Sequence, residues 1–309
     1  MRVGSVCSGI GGLELGLSMI ADTELQWVSE TDATASTILD KRFDVPNLGD
    51  LTQIQDPPEV DLVVGGFPCQ PVSVANSNPN GRKGIHDDRW LIADVCELAE
   101  RAGARWLLLE NVRGLLTANN GDALARVCAE MAHRGFVRWE WRTLYASEVG
   151  APHRRDRWFC IATNTKGSTG RQKKPEGLGT SIRQTAELRE RLSEATSTAY
   201  ADCQRLEGHR EEHELESCVE ETPTSWGRYD GAIRRWEAIL GRPAPTPAIG
   251  WKMNPAFIEW MMGFPEGWVV PRKSDISYSG ALRCLGNAVV PHQAAYAYAD
   301  LFERINGGR

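Results

Sequence analysis

No apolar run in this 309-residue chain approaches the roughly twenty residues that a membrane-spanning helix needs, which argues against an integral helical membrane protein. Met1-Arg2-Val3 leads directly into a strand rather than into a signal-peptide pattern, so the expectation is a soluble protein of the cytoplasm. Cysteine provides no framework. The eight residues (7, 69, 96, 128, 160, 203, 218 and 284) fall singly, none at Cys-x-x-Cys spacing, so no zinc or other metal site is expected. In a cytosolic setting they also argue against disulfides. A basic surplus is missing too: 35 Lys and Arg stand against 41 Asp and Glu, a net charge of −6. Composition therefore gives no global sign of nucleic-acid binding, although Arg154-Arg155-Asp156-Arg157 is a local basic cluster. Residues 164–221 have few large apolar side chains and read as weakly folded or loop-rich.

Elsewhere the chain has ample core material, with 41% hydrophobic residues, and reads as one sizeable domain carrying a smaller insertion. Arg2-Val3-Gly4-Ser5-Val6-Cys7 is a strand, Gly9-Ile10-Gly11-Gly12 a glycine turn, and Leu13, Leu15, Leu17 and Ile20 begin a helix. Strands follow at 25–29, 60–64 and 105–109, alternating with helices at 33–42, 90–100 and 123–133; two further strands lie at 137–144 and 157–161. This alternation predicts an α/β fold with a doubly wound, mainly parallel sheet, whose ligands lie beyond the carboxyl ends of the strands. Tyr229, Ile233, Trp236, Ile239 and Leu240 restore helical periodicity before a proline-rich stretch at 242–247. Helices are expected again at 254–260 and 291–305.

Four groups of residues stand at predicted strand ends, and a fifth, a pair of arginines, stands where a strand begins. In Gly65-Gly66-Phe67-Pro68-Cys69-Gln70-Pro71 the glycines and prolines stop the strand, so Cys69 leaves the sheet on a stiff turn where a thiol can face a cleft. Taken alone, a cysteine there is more often a small buried hydrophobe. Ser8-Gly9-Ile10-Gly11-Gly12 allows close backbone approach to a ligand, yet such turns serve dinucleotides, adenosyl ligands and tight packing alike. Glu30, ending the second strand, can accept from ribose hydroxyls, and Asp50 from an adenine amino group; either can equally be a solvated loop carboxylate. Glu110 follows four apolar residues and would be partly desolvated, which raises a carboxyl pKa and makes it a candidate acid, with helix capping or a salt bridge as the alternative. Arg155 and Arg157 share one face of an extended segment and could hold a carbonyl oxygen or a phosphate, or form a solvated basic edge.

In this order, with Gly49-Asp50, Pro68-Cys69-Gln70, Glu110-Asn111-Val112, His153-x-Arg155-x-Arg157 and Gly286-Asn287-Ala288-Val289-Val290-Pro291, the motifs resemble those of the DNA cytosine-5 methyltransferases over nearly the whole chain. The stretch 254–268, with Met261-Met262-Gly263-Phe264-Pro265-Glu266-Gly267-Trp268, resembles the segment that follows the recognition region in phage-type and restriction-associated members. The resemblance implies a Rossmann-like fold that binds S-adenosyl-L-methionine, double-stranded DNA as partner, and a cytosine flipped out of the duplex. It implies Cys69 as the nucleophile on C6, Glu110 at N3, Arg157 at O2 and Arg155 in support. Ser8, Gly9, Ile10, Gly11, Gly12, Glu30, Asp50, Leu91 and Asn287 would bind the cofactor, and Gln70, Ser73, Arg82 and Lys83 the DNA. The implied division is 1–163 for the first catalytic part, 164–252 for a target-recognition insert and 253–309 for the return to the catalytic domain. A monomer in a bacterial or phage-infected cell, with a cognate restriction endonuclease, completes the expectation.

Three positions depart from the family pattern. Cys7 replaces a usual Phe, removing an aromatic contact and lowering the expected cofactor affinity. His153 stands where Gln is common, and Asn76 where Gly is frequent.

Overall fold

The computed structural model describes residues 1–68, 90–164, 226–269 and 276–307. Six strands form the main sheet: β1 (Arg2–Val6), β2 (Glu24–Ser29), β3 (Leu62–Gly66), β4 (Trp106–Val112), β5 (Phe136–Tyr145) and β6 (Asp156–Asn164). Among the described residues the helices are α1 (Gly12–Ser18), α2 (Ala33–Arg42), α3 (Ile92–Arg101), α4 (Asp122–His133), α5 (Asp230–Leu240), α6 (Pro255–Met261), α7 (Tyr278–Asn287) and α8 (Pro291–Ile305). The sheet order is β2-β1-β3-β4-β6-β5, with β2, β1, β3 and β4 mutually parallel and β6 antiparallel to both β4 and β5. The mainly parallel α/β sheet expected from the sequence is present, closed on one edge by an antiparallel pair.

Period-two alternation along the strands makes two cores. Val63, Leu107, Leu109, Cys160 and Ala162 face one side, where they pack with Val95 of α3 and Val127 of α4. Leu62, Val64, Leu108, Phe159 and Ile161 face the other, against Leu13 and Leu17 of α1 and Ala294, Tyr298 and Leu301 of α8. Gly4 in β1 leaves room for the Trp27 indole, which a Cβ at that position would strike.

A third core joins α5, α6 and α7 to the glycine turn through Ile10. Trp236 and Trp260 are fully buried there, and the Trp236 indole donates to the Trp260 carbonyl at 2.9 Å. An aromatic of this size removes roughly 200 Å² from water, a favourable term of about 5 kcal/mol before ordering entropy is counted. Of the expected insert, residues 226–252 are described: they contain α5 and most of a short hairpin, β7 (Ala248–Ile249) with β8 (Lys252–Met253). Residues 165–225 lie outside the described set.

Candidate active site

Sheet register brings the candidate residues to one edge. Val6 is opposite Ser29 on one side and Gly65 on the other, and Gly66 is opposite Glu110, so the carboxyl ends of four parallel strands finish level. Glu30 follows β2, Cys7 and the glycine turn follow β1, and β3 runs out toward Phe67 and Pro68. With neighbouring strands about 4.8 Å apart, Glu30 and Glu110 are separated by three spacings, on the order of 14 Å.

Glu110 lies inside β4, two residues before the strand ends, and is 7% exposed. Its Oε1 meets Arg157 Nε at 2.9 Å. The antiparallel register of β4 on β6 creates this pair: Val112 is opposite Arg157, so the guanidinium lies beside the strand end from which Glu110 projects. Burial raises the Glu110 carboxyl above its usual range, and the positive charges of Arg157 and Arg155 only partly oppose it. Burial thus favours the protonated carboxyl, while the fixed cation beside it favours the ionised one. Gly66 approaches it closely: a Cβ there would lie 2.9 Å from Glu110 Oε2 and press on the carboxyl group. The Asn111 side chain donates to the Phe67 carbonyl at 3.0 Å and fixes the exit of β3 toward position 69.

On the other half of the edge, Gly9 and Gly11 take φ of 57° and 85°, the left-handed region that glycine tolerates. A Cβ on Gly9 would meet nothing within 4 Å, whereas one on Gly12 would strike the Val289 carbonyl. The turn is thus packed on one side and open on the other. The Glu30 carboxylate accepts from Gly9 N at 2.8 Å on Oε2, and from Thr31 N and Asp32 N at 2.9 and 2.8 Å on Oε1. With two oxygens offering about four acceptor positions, Oε2 keeps capacity for a ligand hydroxyl. Asp50 is exposed and caps the short helical turn Leu51–Gln53, accepting from Thr52 N at 2.9 Å through Oδ1. Cys7, directly after β1, lies within the field of both carboxylates. Its thiol is pushed up to about 12, first by burial and then by Glu30 and Asp50, so it packs as a neutral group.

A family model for C-5 cytosine-specific DNA methylases matches residues 1–303. The chain belongs to the C-5 cytosine-specific DNA methylase family. Among curated proteins it is 36% identical over 169 residues to the Type II methyltransferase M2.BsuMI of Bacillus subtilis (strain 168), covering 53% of this chain and 42% of that one. It is 35% identical over 173 residues to the Type II methyltransferase M.NaeI of Lentzea aerocolonigenes, covering 54% and 40%. The matched region thus spans about two-fifths of these relatives' length. In fold it is similar to a protein described as a prophage-encoded DNA modification methyltransferase of E. coli (TM-score 0.59, 17% identity, 99% of both chains). The S. pombe Dnmt2 methyltransferase is a second such neighbour (TM-score 0.58, 16% identity, 99% of both chains).

The remaining residues that the family resemblance singled out divide into three groups. Cys69, Gln70, Ser73, Asn76, Arg82 and Lys83 lie outside the described residues. Leu91 is half-buried just ahead of α3, and Asn287 is exposed at the end of α7, two residues before Val289, whose carbonyl packs against Gly12. The arginine motif differs from its sequence reading. β6 starts only at Asp156, and Arg155 has φ of 31°, so it does not share an extended face with Arg157; its Nη2 instead donates to the Gly286 carbonyl at 3.0 Å and to that of Ala288.

His153 Nε2 lies 3.1 Å from the Met261 carbonyl. A carbonyl only accepts, so Nε2 carries the proton and donates. Burial lowers this imidazole to about 4, helped by Arg155 and Arg157, and it stands neutral in the site.

Two further residues escaped the sequence reading. Glu14, buried in the first turn of α1, accepts from Ser5 Oγ, which in turn lies 2.8 Å from Ser8 Oγ. Burial raises the Glu14 carboxyl to about 7, although the Ser5 hydrogen bond opposes the shift. Trp268 reaches back across the fold, its indole donating to the Ile10 carbonyl at 2.7 Å while Arg42 Nε binds the Trp268 carbonyl at 2.8 Å. The position of Trp268 in the Gly263-to-Trp268 stretch was its only signal in the sequence.

Proposed function

We propose that this chain transfers the methyl group of S-adenosyl-L-methionine to C5 of a cytosine within a specific sequence of double-stranded DNA. The observation that carries the reading is the buried Glu110–Arg157 pair, 2.9 Å apart, at the end of the strand next to the one that leads to Cys69. Membership of the family supports it.

The residues at the β1 and β2 ends fit an adenosyl cofactor. Gly9 leaves open space above the turn, Glu30 Oε2 can accept from the ribose, and Asp50 is exposed for an amino group. Ser8, Ile10, Gly11 and Gly12 would shape the turn around it, with Leu91 and Asn287 as neighbours. When bound, the cofactor supplies an electrophilic methyl group.

The target base has to leave the stack before its C6 and C5 can be reached. The Cys69 thiolate adds to C6, forming a C–S bond, while Glu110 donates its proton toward N3 and accepts from the exocyclic amine. Arg157 stands against O2, where negative charge builds, with Arg155 in support. The displaced electron pair makes C5 nucleophilic toward the methyl group the cofactor would supply, a C–C bond forming as the S–CH3 bond breaks and the cofactor leaves as a neutral thioether. Loss of the C5 proton to solvent and return of the N3 proton to Glu110 then restore the ring and break the C6–S bond, returning Cys69 as thiolate and Glu110 as the acid.

In this reading residues 1–163 and 253–309 form the catalytic part and 164–252 the recognition insert. Gln70, Ser73, Arg82 and Lys83 contact DNA. The enzyme works as a monomer in the cytoplasm of a bacterial or phage-infected cell, as the modification partner of a cognate endonuclease. Among the described residues no helix is long and apolar enough to cross a membrane. Bisulfite sequencing of DNA from cells expressing the protein tests the reading: protected cytosines should recur in one sequence context, and an absence of modified cytosine overturns it.

A further inference from the structure

Gln293 has a place in this site that neither its sequence position nor the catalytic residues indicate. It lies on α8 with no exposed surface. Its Nε2 donates to two backbone carbonyls, Leu144 at 2.7 Å and Arg155 at 2.8 Å. Both partners only accept, which fixes the amide orientation without reference to hydrogen positions.

These two carbonyls border the catalytic cation. Leu144 of β5 is the residue opposite Arg157 of β6, and Arg155 is two residues upstream of Arg157 on the turn that enters the strand. Ala146 N donates to the Arg154 carbonyl at 2.7 Å and, at 3.2 Å, to that of Arg155. The contact is reciprocal: the α8 side chain holds the backbone of the arginine turn, and the Arg155 guanidinium holds the Gly286 and Ala288 carbonyls just ahead of α8. A closed ring of hydrogen bonds results, with Arg155 at φ 31° inside it. A non-glycine residue stays in that region only when its surroundings over-determine it.

We propose that Gln293 is a positioning residue of the reaction, locking the turn at residues 154–156 so that Arg157 is aimed at Glu110. The role rests on the proposed function only for its catalytic consequence; the geometric one stands apart. Without the amide donors, Arg155 is free to relax to negative φ and the entry of β6 to shift, which moves the Arg157 guanidinium away from the Glu110 carboxylate.

The test compares the full-length protein with Gln293→Met, which keeps the length of the side chain but has no donor, and with Leu301→Ala, which opens a void elsewhere on α8. Glu110 is titrated by carboxyl-carbon NMR of glutamate-labelled protein, assigned by its loss in Glu110→Gln. Single-turnover methyl transfer is measured at saturating cofactor and DNA.

In Gln293→Met the Glu110 midpoint should rise by about one pH unit, because an attractive cation has moved off. The transfer rate should fall at least about tenfold, within the range expected for a misplaced catalytic group. Leu301→Ala should lower Tm and leave both unchanged. An unchanged Glu110 midpoint in folded Gln293→Met overturns the proposal. Should that variant not fold, Gln293→Asn, which keeps the amide on a shorter arm, is read by the same criterion. If the wild-type protein transfers no methyl group to cytosine C5, the proposed function fails while the titration still decides the role of Gln293.

Discussion

Replacing Glu110 by Gln keeps the shape of the side chain and removes its ability to give up a proton, so it separates chemistry from binding. General acid catalysis contributes about 10²- to 10⁴-fold, or roughly 3–5 kcal/mol of barrier, and turnover should fall by that factor. Stability should fall as well. Glu110 is the carboxylate that faces Arg157, and breaking a fully buried pair costs about 3–5 kcal/mol. Arg157 keeps 16% side-chain exposure and a 2.9 Å bond to the Asp156 carbonyl, which reduces the expectation to about 2 kcal/mol. Cofactor binding should hardly change, because Glu30 is three strand spacings away, on the order of 14 Å and beyond a Debye length in physiological salt. The assay is single-turnover transfer of labelled methyl groups into duplex DNA, with cofactor and DNA Kd values measured separately by calorimetry and fluorescence anisotropy. Turnover within about threefold of wild type would refute the assignment of Glu110 as the acid. A loss accounted for wholly by weaker DNA binding would refute it equally.

Two buried titrations should move stability in opposite directions. Glu14 has its folded pKa raised from 4.5 to about 7, so its stabilising contribution is complete below about pH 4.5 and is lost as pH rises to about 7; Glu14→Gln should remove a decline of roughly 3 kcal/mol across that window, read from urea unfolding at several pH values. A decline that persists in the variant would show that Glu14 does not titrate there. His153 has its folded pKa lowered from 6.5 to about 4, so the native state resists its protonation and loses stability as pH falls between those values. His153→Gln should flatten that acid limb and keep a donor toward the Met261 carbonyl, and an unaltered limb in the same unfolding experiment would contradict the placement. Glu30→Gln should weaken cofactor binding by about tenfold or more, as expected for one lost charge-assisted hydrogen bond, and leave DNA affinity alone; unchanged calorimetric affinity would remove Glu30 from the cofactor site.

The sheet was legible because the parallel strands are largely apolar runs with a glycine, proline or acidic residue at or near their ends, where Gly9 and Glu30 stand; β4 runs on past its acidic residue, through Glu110 to Val112. Glu110 was legible as a candidate acid for the same reason, four apolar residues before a carboxylate. Its partner Arg157 was legible only as a residue type. The 2.9 Å contact depends on β6 running antiparallel to β4, and nothing within the 157–161 run specifies strand direction. Arg155 departs from the extended conformation its sequence suggests because its positive φ is imposed from far along the chain, by Gln293 and the Gly286 and Ala288 carbonyls. Glu14 escaped for a related reason. A glutamate on the first turn of a helix ordinarily faces solvent, and only the arrival of Ser5 and Ser8 encloses it. Trp268 is coupled to Ile10 across 258 positions, a separation at which local periodicity carries no information.

The central claim is a transient covalent bond between Cys69 and C6 of the target cytosine. Fluorine at C5 blocks its release, because the C5 proton whose loss expels the thiolate is replaced by an atom that cannot leave as a cation. Duplex DNA carrying 5-fluorocytosine at the site located by bisulfite sequencing, incubated with enzyme and S-adenosyl-L-methionine, should give a denaturation-resistant adduct. Its peptide mass should equal that of the Cys69 peptide plus the methylated fluoronucleotide, and Cys69→Ala should give none. Absence of the adduct, or attachment at another residue, would contradict the account.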